Sequence, residues 1–279
     1  MSDEKNIERG NKTEFASAPE HFYERIDNFL AGVKKLTDPR AYHPWVLSMA
    51  WKDLLFASWR LPIHVVRAKV PPELELDTFD GSAWVTMVPM HITDIHFRGV
   101  PAIPGMESLR ELNLRTYVKL NGKAGVYFLS IECPAVLSDW MAVHFFGVPY
   151  LKAQIAIAKD GDSHHYASER AHELHPPAAF FGTFQPAGET FNPTAGSLEA
   201  FLVERFCLFY VKDGKVHRGD ILHDTWKLQN ANLKIELNTI GKSAGLELSE
   251  KPDHIVFSSS TNTYIWLPVQ EDRANTAEN

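Results

Sequence analysis

Four side chains at alternate positions, Glu111, Asn113, Arg115 and Tyr117, offer an acid, an amide, a guanidinium and a phenol within one short stretch. In an extended strand successive side chains point to opposite faces. These four therefore share one face of the segment 110–118, and Leu112, Leu114, Thr116 and Val118 share the other. Such a row has two readings. On an antiparallel sheet with one wet face it is the surface that meets water. Inside a closed sheet it becomes a polar wall for a small molecule, because binding cavities combine apolar lining with a few convergent polar groups. Arg115 carries a planar fork suited to a carboxylate. Glu111 beside it would either hold the guanidinium in a structural ion pair or, if desolvated, move a proton.

A row of this kind has to be positioned by neighbouring elements, and the chain supplies them in order. Residues 1–16 are polar and aperiodic, which reads as a disordered leader. Residues 17–38 form an amphipathic helix: Ser17-Ala18-Pro19-Glu20 fits a capping box, and Phe22, Ile26, Phe29, Leu30 and Val33 recur at helical spacing. That stripe must cover either the body of the protein or a second copy of the chain, which would make a homo-oligomer. Residues 40–270 carry the punctuation of one β-rich domain, and 271–279 read as a disordered tail. Within the domain, Val46 to Leu61 holds one or two strands, Pro62 to Lys69 a short helical segment, and Leu74 to Ile95 a hairpin turning at Asp80-Gly81. Asn121-Gly122 is a type I′ turn that pairs the opening strand with Val126 to Cys133. Ser138 to Phe146 reads as a helix ended by Gly147 and Pro149, followed by a strand from Tyr150. Further turns fall at Asp160-Gly161 and Asp213-Gly214, a short helix at Ser197 to Leu202, and a last helix over Leu228 to Ile240.

Composition narrows the function classes. With 279 residues, 44% of them hydrophobic, the chain can bury a full-sized core. A net charge of −7 without a basic run argues against nucleic acid. No stretch of 18 apolar residues occurs, so no membrane span or signal peptide is expected, and we expect a cytoplasmic protein. Cys133 and Cys207 sit in apolar runs and read as small buried hydrophobes. His164, His165, His172 and His175 cluster without a spacing that puts two ligands on one face, and His91 and His96 would face opposite ways on an unbroken strand. No metal is expected. No P-loop, G-x-G-x-x-G or G-x-S-x-G motif occurs, and no cofactor is expected. Arg205 with Glu204, and Arg218 with Asp220, read as rim ion pairs or as pocket groups, and the tryptophans as core aromatics.

The turn Gly122-Lys123-Ala124-Gly125-Val126-Tyr127 and the later Phe146-Gly147-Val148-Pro149 resemble the acetoacetate decarboxylase superfamily, which pairs a G-x-x-G-x-Y turn with a helix ending in Gly-Phe-Pro-Lys-Lys. Glu111-Leu112-Asn113-x-Arg115-Thr116-Tyr117, the segment from Phe146 to Tyr150, and Glu199-x-Phe201-Leu202-x-Glu204-Arg205 are similar to the YqjF-like proteins, a bacterial family of unknown function placed in that superfamily. The likeness runs from about Trp45 to Pro268. It implies a mainly β fold, a curved antiparallel barrel or cone with a few peripheral helices around a buried pocket. It also implies that Glu111 matches the superfamily's acidic pocket residue. In the decarboxylases the first motif lysine forms a Schiff base with a β-keto acid, a system that also serves as a general example of a lowered lysine pKa. Here Tyr150 and Leu151 occupy the two lysine positions, and neither can form an imine. Lys152 follows on the same strand side as Tyr150 and is either a surface lysine or a pocket group.

The resulting expectation is a pocket for a small organic acid, keto or hydroxy. Arg115, Asn113 and Tyr117 would bind it, and Glu111, Tyr150 and Lys152 would stand near the reacting end. Such a protein is either a decarboxylase-related lyase without the usual Schiff-base lysine or a non-catalytic binding protein on the same fold.

Overall fold

Alternation and turn chemistry decide the architecture. The computed structural model describes residues 44–100, 107–134, 147–171 and 174–272, and among these thirteen strands pair into one sheet. In chain order they are β1 (Leu47–Leu61), β2 (Glu75–Leu76), β3 (Ala83–Phe97), β4 (Ser108–Leu120), β5 (Lys123–Cys133), β6 (Tyr150–Asp160), β7 (Ser163–Arg170), β8 (Ala179–Phe191), β9 (Cys207–Lys212), β10 (Lys215–His223), β11 (Leu228–Asn238), β12 (His254–Ile265) and β13 (Val269–Glu271). Three short helices punctuate them: α1 (Ile63–Arg67), α2 (Leu198–Val203) and α3 (Ile240–Ser243).

The hairpin turns form where Asn-Gly and Asp-Gly dipeptides stand. Asn121 and Gly122 both adopt positive φ, 49° and 76°, and join β4 to β5. Asp213 and Gly214, at 52° and 71°, do the same for β9 and β10. At Asp80-Gly81 the turn forms, closed by the Phe79–Ser82 bridge, but the expected hairpin does not: β2 pairs with β4 instead of β3. The helix expected over Leu228 to Ile240 is also corrected. That stretch is β11, because Leu233, Ile235 and Leu237 alternate with Asn232, Lys234 and Glu236 at period two, and only Ile240–Ser243 is helical. Its partner β8 was not foreseen.

The pairings close two circuits. One runs β5-β6-β7-β8-β11-β12-β1-β3-β4 and back to β5; the other takes the shorter way from β12 through β10 and β9 to β5. The sheet is antiparallel except at the seams β5–β6 and β5–β9, which have three registered parallel pairs and one respectively. Extra residues on three strands bend it inward. On β1, Leu47, Met49 and Trp51 face the inside of the shorter circuit; Asp53 then takes φ 52°, and the inward parity passes to Leu54 and Phe56. On β3, Asp94 at φ 54° switches it from Met90 and Ile92 to Ile95 and Phe97. On β5, a shift beside Leu114/Arg115 of β4 moves it from Val126 and Phe128 to Ile131. The break at Asp94 also puts His91 and His96 on the same outward side, where an unbroken strand would have separated them.

Inside the longer circuit lies a second core around Trp59, Tyr166, Phe180 and Phe257, with His164 stacked 5.0 Å from the Phe184 ring. Cys133 and Cys207 are free and buried. The leader, the helix over 17–38, the helix over Ser138 to Phe146 and residues 273–279 lie outside the described residues. At the C-terminal end of the described residues, Glu271 belongs to β13 and pairs with Arg218. Among the described residues no helix is long and apolar enough to cross a membrane.

Candidate functional site

The shorter circuit encloses a cavity of about 120 Å³. Since about 10–15 Å³ on this measure holds one water, roughly ten non-hydrogen atoms fit. Six of its lining residues are polar, Glu111, Asn113, Arg115, Tyr150, Arg205 and His223, and the rest are aliphatic, aromatic or Met.

Three of the six come from the row on β4. Its neighbours β3 and β5 hold it in register, with Glu111 opposite Met90, Asn113 opposite Val88 and Arg115 opposite Thr86. Asn113 donates from Nδ2 to Glu111 Oε1 at 3.0 Å, and its own Oδ1 is buried without a partner. Glu111 is buried, and desolvation pushes its carboxyl up from 4.5 to about 7, although the Asn113 hydrogen bond and the Arg115 cation both pull it down. Near neutral pH this group can therefore give or take a proton.

Arg115 is 9% exposed. Its Nη2 donates to the Leu202 carbonyl at 3.2 Å and its guanidinium lies 5.5 Å over the Phe56 ring, while Nε is buried without a hydrogen-bond partner. The structural ion pair with Glu111 does not form, and among the described residues no carboxylate lies within ion-pair distance of this cation. Arg205, by contrast, is matched: Nη1 meets Asp77 Oδ2 at 2.7 Å, and Lys119 reaches the other oxygen of Asp77, also at 2.7 Å.

Helix α2 roofs this side of the cavity. Ser197 caps its start, the hydroxyl accepting from Ala200 N at 3.2 Å. Its last carbonyls, which a helix end leaves without intrahelical partners, accept from the walls: Phe201 from Arg205 Nε, Leu202 from Arg115 and Val203 from Trp226 Nε1.

Tyr150 enters from the start of β6, its phenol held well above the ordinary value by burial and by the charges of Glu111 and Cys133. His223 ends β10. Its Nδ1 lies 2.9 Å from the Asp224 carbonyl, its ring stacks 4.6 Å from that of Phe206, and Nε2 is buried without a partner. Burial, with the Arg115 cation, lowers this imidazole's tendency to charge, partly opposed by the backbone carbonyls of Asp224 and Arg205.

Two candidate residues stand apart from the cavity. Tyr117 is fully buried behind the wall; its hydroxyl lies 2.6 Å from Thr86 Oγ1, and its ring sits beneath the Arg205 guanidinium at 4.9 Å. Lys152 is half-buried on β6, opposite Cys133, and is not among the lining residues. Two further groups line it: Arg205, which the sequence left as a rim ion pair or a pocket group, and His223. Arg205 carried a signal, standing in the segment that resembles the YqjF-like proteins. His223 carried none locally, because its place opposite β4 arises only when the sheet closes.

Solved structures with the same fold include the enduracididine biosynthesis enzyme MppR complexed with pyruvate (TM-score 0.54, 14% identity, 82% of this chain and 91% of that chain). Others are an acetoacetate decarboxylase-like enzyme from Sphingomonas wittichii RW1 (0.54, 11%, 85% and 98%) and the acetoacetate decarboxylase from Legionella pneumophila (0.53, 12%, 87% and 95%). At these identities the likeness is one of fold. The uncharacterized protein YqjF of Bacillus subtilis (strain 168) is 36% identical over 222 residues, 80% of this chain and 91% of that one. Residues 48–262 match the model of DUF2071, described as an uncharacterized conserved protein. With the match spanning most of the chain and the identity to YqjF, this protein belongs to that family, on an acetoacetate decarboxylase-like fold.

Proposed function

We propose that the protein binds a small organic acid, of the keto- or hydroxy-acid class, inside the shorter circuit, with Arg115 as the anchor of its carboxylate. The observation that carries this reading is a buried cation on the cavity wall with an unpartnered Nε and, among the described residues, no carboxylate within ion-pair distance. Taking a guanidinium out of water costs several kcal/mol unless an anion and hydrogen bonds replace the solvent, and a ligand carboxylate supplies both. Asn113 and Tyr150 line the same space, and Tyr117 acts from behind, steadying Thr86 and Arg205.

Glu111, poised near pH 7, supports a lyase-type reaction in which it carries a proton to or from the carbon next to the ligand's carbonyl or carboxylate. The structural neighbour captured with pyruvate shows this fold accepting a keto acid in that protein. Tyr150 and Leu151 at the motif positions support the second reading, a binding protein that keeps the cavity without the Schiff-base chemistry.

Calorimetric titration of the parent and of Arg115→Met with short keto and hydroxy acids tests the anchor. A charge-assisted hydrogen bond contributes about 1.5–3 kcal/mol, so we expect affinity to fall by about 10- to 100-fold in the variant. Equal affinity in a folded variant would remove Arg115 from the site.

A further inference from the structure

We propose that the acid bound in this cavity carries a short hydrocarbon tail, laid against β1 and β3, and no second charged group. The inference rests on the acid-binding reading above and names the class of acid.

It follows from which side chains the two bulged strands send inward. Every lining residue that β1 and β3 supply is aliphatic, aromatic or Met. The bulges decide this. On an unbroken β3, Asp94 and His96 would continue the inward row of Met90 and Ile92; the break at Asp94 turns both outward and brings in Ile95 and Phe97 instead. Asp94 then meets Lys52 at 3.3 Å with its side chain 64% exposed. On β1 the positive φ of Asp53 likewise keeps a carboxylate out of the row begun by Met49 and Trp51. The only N–H among the lining side chains of these two strands, Trp51 Nε1, is spent on Met49 Sδ at 3.1 Å.

An acid anchored at Arg115 therefore meets walls on β1 and β3 that offer nothing to pair with a polar group. Water against those walls lacks the polar partners that hold an internal water in place, so an alkyl chain displaces it favourably. A second carboxylate finds no free cation in the lining: the other guanidinium, Arg205, is already matched by Asp77 at 2.7 Å, and burial lowers the tendency of His223 to charge. Volume sets the length of the tail. Pyruvate fills little more than half of the roughly ten-atom space, whereas 2-oxohexanoate fills nearly all of it.

The test is calorimetric titration of the full chain with pyruvate, 2-oxobutanoate, 2-oxohexanoate and 2-oxoadipate, and with their 2-hydroxy counterparts, repeated on Met49→Asp. Affinity should rise about fourfold for each added methylene, and so by roughly 60-fold from pyruvate to 2-oxohexanoate, the scale of burying one CH2 at a time. The adipate, equal in carbon count but charged at its far end, should bind no tighter than pyruvate, because that charge would face apolar walls. Met49 is half-buried, so an aspartate there keeps contact with water while setting a charge in the β1 wall. In that variant the ratio of affinities for 2-oxohexanoate and pyruvate should drop below about ten. If the acids bind without dependence on length, if 2-oxoadipate matches 2-oxohexanoate, or if folded Met49→Asp keeps the full ratio, the tail is overturned while the acid site stands. If none of the acids binds the folded parent, the acid site itself fails and takes this inference with it. Should Met49→Asp not fold, the ranking in the parent still decides.

Discussion

Replacing Glu111 by Gln tests whether the row on β4 looks into a dry chamber. Desolvation raises the carboxyl from 4.5 to about 7 in the folded protein. A shift of that size corresponds to roughly 3 kcal/mol, at about 1.4 kcal/mol for each tenfold change. The sign follows from proton linkage. Between pH 4.5 and about 7 the folded protein binds this proton and the unfolded chain does not, so stability falls as pH rises through the window. Below it both states are protonated and nothing is lost. Above it the full penalty applies. Gln keeps an acceptor for Asn113 Nδ2 and carries no charge, so its contribution is flat. The groups nearest Glu111 do not mask the effect: the phenols of Tyr150 and Tyr166 are held well above their ordinary values, and burial lowers Arg115 from the very high ordinary guanidinium value. Urea unfolding of parent and variant at pH 4.5, 6 and 8 should therefore give a difference in favour of Gln that grows by about 3 kcal/mol from the lowest pH to the highest. A difference that stays constant across this range would mean that the carboxyl is solvated, and the inward-facing row would go with it.

Two further predictions address the motif and the reaction. A Cβ on Gly125 would come within 2.7 Å of the Cys207 carbonyl and 2.8 Å of its sulfur, at the single registered contact between β5 and β9, so Gly125→Ala should lower stability by about 1–3 kcal/mol in urea unfolding; an unchanged midpoint would show that the seam is loose. Sodium borohydride added with acetoacetate or pyruvate should leave no mass increment on Lys152, which does not line the cavity, whereas a reduced adduct detected there by peptide mass analysis would restore the Schiff-base route.

Much of the fold was legible in local chemistry. Asn121-Gly122 and Asp213-Gly214 demand positive φ and deliver their hairpins. The β4 face could be divided into two sets because its period is two. What alternation cannot say is which set is enclosed, since a polar row against water and a polar row in a cavity have the same spacing. That answer depends on closure, and closure depends on bulges at Asp53, Asp94 and near Leu129 that flip the inward parity partway along β1, β3 and β5. A charged residue inside an apolar run was the visible trace of the first. β11 was misread because its short apolar side chains are half-exposed and a helical window also accommodates them. The site was legible only where its residues shared a strand. Arg115 and His223 are separated by 108 positions (223 − 115), and only the short β9 and β10 seams bring them to one space.

The unmatched atoms themselves carry the functional case. Asn113 Oδ1, Arg115 Nε and His223 Nε2 are each buried and unpartnered on one cavity wall or another. Leaving such an atom dry costs about 1–3 kcal/mol, more for a charged group, and apolar side chains of similar volume would be neutral or stabilising in their place. A chain selected for packing alone has no reason to hold all three around a single space. Phe56 and α2 hold the guanidinium in place, and Phe206 and Trp226 hold the imidazole.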